Sequence, residues 1–309
     1  MVWPFNSKIT GNPSSYSFLI TGCDTGFGNL TARKLALQGF HVYAGCLTDN
    51  GISDLKRLNL TNLIACKLDI TKQDQVDSVV DRIKREVGNL FCLINNAGLQ
   101  AGSLVELTSM DQFELIFAVN FFGAIRCSKA CIPLLREYGG GARIINISSA
   151  ASFGAAPMMS GYCASKVAIR YFGDSLRQEM QPFGIYVTSV CPGFFKTPIL
   201  DSVGRAKSDF AKVPKEIQSV YGEDFVLGFV EKFQNRAKSM PDPSICVDQI
   251  VHCALAKSPP ATHTVGYDSF FIWYVVYYVP MFIQRFLISL YGTFFLWGKL
   301  AWKNKQKIQ

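Results

Sequence analysis

The chain has little histidine and no closely paired cysteines, and both scarcities narrow what it can do. His41, His252 and His263 are its three histidines, and they lie far apart. Its ten cysteines include no Cys-x-x-Cys pair; the nearest two, Cys127 and Cys131, stand four apart on an expected helix. Without a nearby histidine that spacing lacks the pattern of a metal site, so no metal is expected. No signal peptide and no even cysteine spacing mark a secreted disulfide framework. The thiols therefore read as small apolar packing residues of a domain facing the cytosol. No internal repeat is visible. Acid is absent from the last 41 residues, which carry Arg285 and four lysines; without them the net charge of +8 falls to about +3. So small a charge over the remaining residues argues against nucleic acid as a partner.

What is present is a large apolar complement. At 309 residues and 49% hydrophobic, the chain suits one α/β domain plus an appendage, because single cores rarely grow past roughly 250 to 300 residues. From Ser17 onward, short apolar runs alternate with amphipathic stretches, as in a doubly wound, mostly parallel sheet covered on both faces. Strands are expected at 17–21, 41–46, 63–68, 91–95, 143–147 and 185–190, with a seventh near 264–267. Between about residues 200 and 258, Gly204, Pro214, Gly222, Pro241 and Pro243 interrupt the rhythm, and this segment reads as a helical lid. The main domain so defined spans residues 1–268, and residues 269–309 form a hydrophobic tail with a basic end.

Thr21-Gly22-Cys23-Asp24-Thr25-Gly26-Phe27-Gly28 follows the first strand and opens a helix. Side chains there would keep backbone amides away from a pyrophosphate, and a helix N-terminus favours its charge. Gly22, Gly26 and Gly28 therefore suit a dinucleotide, although a tight strand-to-helix turn needs glycine too. Asp69 ends the third strand, where it would accept from an adenine amino group or cap the next helix. Asn95-Asn96-Ala97-Gly98 ends the fourth strand beside the same crevice, or forms an ordinary turn. Cys46 stands where a carboxylate would hold a ribose 2′-hydroxyl. No Arg or Lys stands there, nor at Thr25 or Leu47, where a 2′-phosphate would need a cation. The balance favours NAD, with NADP the alternative.

Gly161-Tyr162-Cys163-Ala164-Ser165-Lys166 begins an expected helix, and the four-residue spacing puts Tyr162 and Lys166 on one face. Tyrosine is a poor base unless positive charge favours its phenolate, which Lys166 and an oxidised nicotinamide ring would supply. Tyr162 would then take a proton from an alcohol as hydride leaves, and Lys166 would also hold the nicotinamide ribose. Ser149, at the end of the fifth strand, is placed to hydrogen-bond the substrate oxygen, with Ser148 its rival. Asn120 lies in an otherwise apolar helix, where an amide is costly unless its hydrogen bonds are used; a water-borne proton relay to Lys166 would use them.

These motifs, in this order, resemble the short-chain dehydrogenase/reductase family over about residues 16–267. The resemblance implies a single Rossmann domain and a nicotinamide cofactor. It also implies that Tyr162, Lys166, Ser149 and Asn120 are catalytic. Thr21, Gly22, Gly26, Phe27, Gly28, Asp69, Asn96, Ala97, Gly98, Tyr162 and Lys166 would bind cofactor, as would Pro192, Gly193 and Thr197 of Cys191-Pro192-Gly193-Phe194-Phe195-Lys196-Thr197. The glycine loop, Ala44-Gly45-Cys46-Leu47-Thr48 and Tyr221-Gly222-Glu223 are similar to the branch of membrane retinol dehydrogenases and 17β- or 3α-hydroxysteroid dehydrogenases. That branch implies a retinoid, a steroid or a similar alcohol as substrate. Phe210, Phe225, Phe229 and Phe233 of the lid would line an apolar pocket or simply fill core. Lys196 and Arg205 would suit the carboxylate of a 3-hydroxybutyrate-type substrate instead. A non-catalytic dinucleotide- or lipid-binding membrane protein is the alternative from another class. Many members of the branch carry an N-terminal membrane helix; here only about 16 residues precede the first strand.

Residues 270–298 contain one charged side chain, Arg285, and 12 of the chain's 40 aromatics. Pro280 and Gln284-Arg285 split them into runs shorter than the roughly 20 residues that cross a bilayer, so insertion into the interface is expected. Trp273, Tyr274, Tyr277, Tyr278, Tyr291 and Trp297 suit the headgroup region, and Lys299, Lys303, Lys305 and Lys307 suit anionic lipid. The ending Lys305-Gln306-Lys307-Ile308-Gln309 resembles a dilysine retrieval signal of the endoplasmic reticulum. The same aromatic surface would alternatively cover the lid or join two copies as a homodimer.

Overall fold

The computed structural model describes residues 8–101, 103–198 and 209–292. Seven strands form one parallel sheet in the order β3-β2-β1-β4-β5-β6-β7. They are β1 (Ser17–Thr21), β2 (His41–Cys46), β3 (Leu63–Lys67), β4 (Cys92–Asn95), β5 (Arg143–Ile147), β6 (Tyr186–Pro192) and β7 (Thr262–Val265). Every residue of β1, β4 and β5 is buried, which explains their nearly unbroken apolar runs. The last strand lies two residues earlier than its sequence suggests, because its pairing with β6 runs from Ser189 to Pro192, where β6 ends.

Helices α1 (Gly26–Leu37) and α2 (Asp49–Lys56) follow β1 and β2, α3 (Gln73–Glu86) follows β3, and α4 (Met110–Phe117) and α5 (Ala124–Tyr138) lie between β4 and β5. Helix α6 (Ser160–Met180) follows β5; α7 (Lys215–Tyr221), α8 (Glu223–Lys238) and α9 (Pro243–Leu255) lie between β6 and β7. One face of the sheet is packed by Leu35 of α1 with Val247 and Ile250 of α9. The other face is packed by Val79 and Ile83 of α3, Leu134 of α5 and Leu176 of α6. Residues 243–255, grouped with the lid by sequence, thus cover the sheet. Pro243 opens that helix rather than breaking one, and Asp242 caps it by accepting from Ser244 N at 2.7 Å.

The helical run Met110–Tyr138 is long and apolar enough to cross a membrane by length and composition, but Cys127, Cys131, Leu134 and Leu135 bury its inner face against the sheet. All ten cysteines are free and buried. The tail begins as a π-helical stretch, Asp268–Tyr274, continues as α10 (Val275–Tyr278) and, after Pro280, as α11 (Met281–Gly292). Phe282, Phe286 and Leu290 of α11 are exposed. Arg205, Trp297, Lys299, Lys303, Lys305 and Lys307 lie outside the described residues, as do the side chains of Phe225, Phe229, Phe233, Trp273 and Tyr291. Phe210 is buried against Leu107, away from the main cleft.

Candidate active site

A cleft of about 570 Å³ opens at the carboxyl ends of the strands, where a doubly wound sheet binds its ligands. Its floor at one end is the glycine loop. Thr25 precedes α1 in extended conformation and places no side chain on the helix's first amides, which leaves them to a phosphate. Gly22 touches the β4 end so closely that a Cβ would lie 2.7 Å from Ala97 Cα. Thr21 Oγ1 accepts from Asn96 N and Ala97 N at 3.1 and 3.0 Å, while Asn96 Nδ2 donates to Thr21 O and Gly22 O at 2.9 and 3.0 Å. Thr21 and Asn96 therefore lock the two strand ends together. Gly22, Gly26, Phe27, Asp69, Asn96, Ala97 and Gly98 line the cleft, whereas Thr21 and Gly28 lie beneath it. Asp69 Oδ1 accepts from Thr71 N and Oγ1 at 2.9 and 2.7 Å, which shapes the turn after β3.

One further cleft residue carries almost no signal in the sequence. Asp24 lies in the glycine loop, yet its carboxylate reaches the end of β2 and accepts from Leu47 N and Thr48 N, each at 2.8 Å. An acid between two glycines of such a loop is the only trace of this in the sequence.

The reacting end is built by α6, the end of β5 and the segment after β4. Tyr162 is half-buried in the cleft wall; desolvation pushes its phenol up to about 12, while a hydrogen bond with Ser149 pulls it down. Lys166 is 4% exposed; Nζ donates to Ile147 O at 2.9 Å and stands 5.7 Å from the centroid of the Tyr162 ring. Burial lowers its ammonium to about 8. Ser149 lines the cleft beside Tyr162, but Ser148 Oγ donates to Lys166 O at 2.8 Å and so anchors α6. The two serines are thereby distinguished by direction. Asn120 sits in a π-helical stretch, Ala118–Gly123, a distortion common at functional sites. Its Oδ1 accepts from Leu99 N at 2.8 Å, and its Nδ2 donates to Leu99 O and Ser165 Oγ at 2.9 and 3.0 Å. Asn120 thus pins the segment after β4 to α6, and Gly98 lies between its amide and Lys166 Nζ. Pro192, Gly193 and Thr197 line the same end.

The tail's first turn is built into this end. Asp268 Oδ2 accepts from Phe194 N at 2.8 Å, and Ser269 Oγ donates to Cys191 O at 2.8 Å. A Cβ at Gly193 would lie 2.1 Å from Asp268 Oδ1, so only glycine lets the carboxylate in. Arg170, one turn beyond Lys166, holds its guanidinium 4.7 Å from the Phe153 ring and 5.2 Å from that of Tyr277. Tyr277 in turn meets the Tyr171 hydroxyl at 3.0 Å.

A parallel sheet with a dinucleotide-shaped loop and a cleft-lining Tyr-Lys pair defines a nicotinamide-dependent oxidoreductase. The chain belongs to the short-chain dehydrogenase family, whose profile, described as short chain dehydrogenase, matches residues 17–208. Within it the chain falls in the retinol dehydrogenase branch. It is 38% identical over 278 residues to retinol dehydrogenase 5 of Mus musculus, covering 87% of this chain and 86% of that one. Dehydrogenase/reductase SDR family member 9 of Bos taurus is 35% identical over 292 residues, covering 91% and 89%. A solved short-chain dehydrogenase from Streptomyces avermitilis shares the fold with a TM-score of 0.66 at 24% identity, covering 93% of this chain and 97% of its own.

Proposed function

We propose that the protein interconverts a hydrophobic, uncharged alcohol and its carbonyl, of retinoid or steroid type, with NAD as the preferred acceptor, at a membrane surface facing the cytosol. The observation that carries this reading is the cleft wall beyond Tyr162. Ala150, Ala151, Gly154, Ala156, Met159 and Phe194 form it, and among the described residues Lys166 is the only basic side chain lining the cleft. Lys196 is exposed and outside the lining, so a substrate carboxylate would meet no described partner cation. The relatives named for retinol dehydrogenation support the same choice.

A bound oxidised nicotinamide would supply hydride acceptance and positive charge at this end of the cleft. In that field the Tyr162 phenolate is favoured, and Tyr162 Oη accepts the hydroxyl proton. Ser149 Oγ would hydrogen-bond the substrate oxygen. Lys166, fixed by Ile147 O, would hold the nicotinamide ribose and, when charged, steady the phenolate. Gly22, Gly26, the α1 amides, Asp69 and Asn96-Ala97-Gly98 would hold the dinucleotide, and Pro192, Gly193 and Thr197 its nicotinamide end. The exposed apolar side chains of α11 and Tyr278 support docking in the interface; at 12 residues that helix is short of a span. Location in the endoplasmic reticulum rests on the lysines of residues 305–309.

Full-length protein in liposomes should reduce NAD with all-trans-retinol or an androgen-type alcohol, followed at the absorbance of the reduced nicotinamide. Turnover of 3-hydroxybutyrate alone would refute the substrate class. Removal of residues 279–309 should release the chain from membranes; a truncated, folded protein that still sediments with vesicles would refute the anchor.

A further inference from the structure

The end of β2 presents no acidic side chain of its own. Cys46 is fully buried, with Sγ 3.8 Å from Ala44 O inside the sheet, so the strand's last side chain turns away from the cleft. Asp24 fills the place it leaves. Oδ2 takes one hydrogen bond, from Leu47 N at 2.8 Å, whereas Oδ1 takes two, from Thr48 N at 2.8 Å and Thr48 Oγ1 at 2.6 Å. Thr48 Oγ1 also accepts from Gly51 N at 3.1 Å and so caps α2. The carboxylate is thereby fixed in direction by three donors beside a helix N-terminus. Asp24, Leu47, Thr48 and Asp69 line the cleft together at this end, and no Lys or Arg lines it there among the described residues. Lys67, at the end of β3, is paired with Asp49 on the exposed side.

We propose that Asp24, a residue of the glycine loop, discriminates NAD from NADP by accepting a hydrogen bond from the adenine-ribose 2′-hydroxyl and repelling a 2′-phosphate. The inference rests on the reading of the cleft as a dinucleotide site. An oxygen with one donor retains an acceptor position for a hydroxyl. A phosphate in the same place would set its charge against a carboxylate held rigidly by backbone amides, with no cation lining that end among the described residues to compensate. Specificity is thus carried over from the strand end, where a cysteine stands, to a loop residue that reaches across to it.

The test is binding rather than turnover, with full-length protein in detergent titrated with ADP-ribose and with 2′-phospho-ADP-ribose, followed by intrinsic tryptophan fluorescence. The unaltered protein should prefer ADP-ribose by about 100-fold or more, since juxtaposed like charges cost several kcal/mol. Asp24→Asn, which keeps the shape and removes the charge, should cut that preference about tenfold or more, weakening the first ligand and strengthening the second. Leu47→Arg leaves Asp24 and its backbone bonds in place and adds a cation beside it; it should strengthen only the phosphorylated ligand. Equal weakening of both ligands by Asp24→Asn, with Leu47→Arg shifting nothing, would overturn the proposal and leave a dinucleotide site in place. So would equal affinity of the unaltered protein for the two ligands. Failure of both ligands to bind would overturn the dinucleotide reading itself.

Discussion

The two ends of the cleft are built on different plans. The dinucleotide end is made by loops that leave adjacent strands, tied by short bonds among Thr21, Gly22, Asn96 and Ala97. The substrate end instead ties the end of β6 and helix α6 to the tail beyond β7: Phe194 to Asp268, Cys191 to Ser269, Tyr171 to Tyr277 and Arg170 to Tyr277. Sheet topology supplies the first end once β1 and β4 pair. The second end must wait until the tail folds back, and that tail carries the exposed apolar side chains of α11. A pocket of fixed form for a common cofactor is thereby set beside one whose form depends on how the tail docks.

Tyr162→Phe separates the ends most sharply. It should lower turnover by about 10²- to 10⁴-fold, the usual worth of a positioned acid–base group, and leave ADP-ribose affinity unchanged in a fluorescence titration. Next in size is pH. Oxidation needs the deprotonated phenol, whose pKa burial raises, so kcat/KM for the alcohol should climb with pH by up to about tenfold per unit until Tyr162 titrates. Reduction needs the protonated phenol and should fall only above that point. A rate of oxidation that declines from about pH 6 to pH 8 would contradict Tyr162 as the base.

Gly193→Ala drives a methyl group into Asp268 and should destabilise the fold by about 1–3 kcal/mol in denaturant titration, as overpacking does. Adding Asp268→Ala should recover part of that loss; if it recovers none, the close approach is not the cause. Arg170→Leu removes the cation between Phe153 and Tyr277 and should cost about 1–2 kcal/mol, raise KM for a lipidic alcohol and spare cofactor affinity. A matching loss of cofactor affinity would mean that the two ends are coupled. The smallest effect is expected at Ser109, whose hydroxyl accepts from Gln112 N in a capping box on α4; Ser109→Ala should cost about 1 kcal/mol of stability by thermal melting.

The strands and the Tyr162–Lys166 pair were legible because both depend on local spacing: buried parallel strands are short apolar runs, and four residues make one helical turn. The direction of Ser149 against Ser148 was not, since strand-end alternation gives two faces and only the packing of α6 says which is wet. Helix α9 was hidden by Pro241 and Pro243, which mark its start as readily as a loop. Asp24 and Asp268 were invisible for another reason. Each acts on backbone amides 23 and 74 residues away, and amides carry no sequence signature.

The burial of all ten thiols has a practical consequence. Desolvation holds Cys23, Cys131 and Cys246 far above the ordinary thiol range, so each is screened both sterically and chemically from alkylating reagents while its region stays closed. Modification then reports opening events, and mass spectrometry of labelled peptides would give a clock for each part of the molecule. Cys23 times the glycine loop, Cys131 the helix behind β4, and Cys191 the strand end that receives the tail. The protein therefore carries its own set of internal probes, readable in any medium in which peptides can be labelled and recovered.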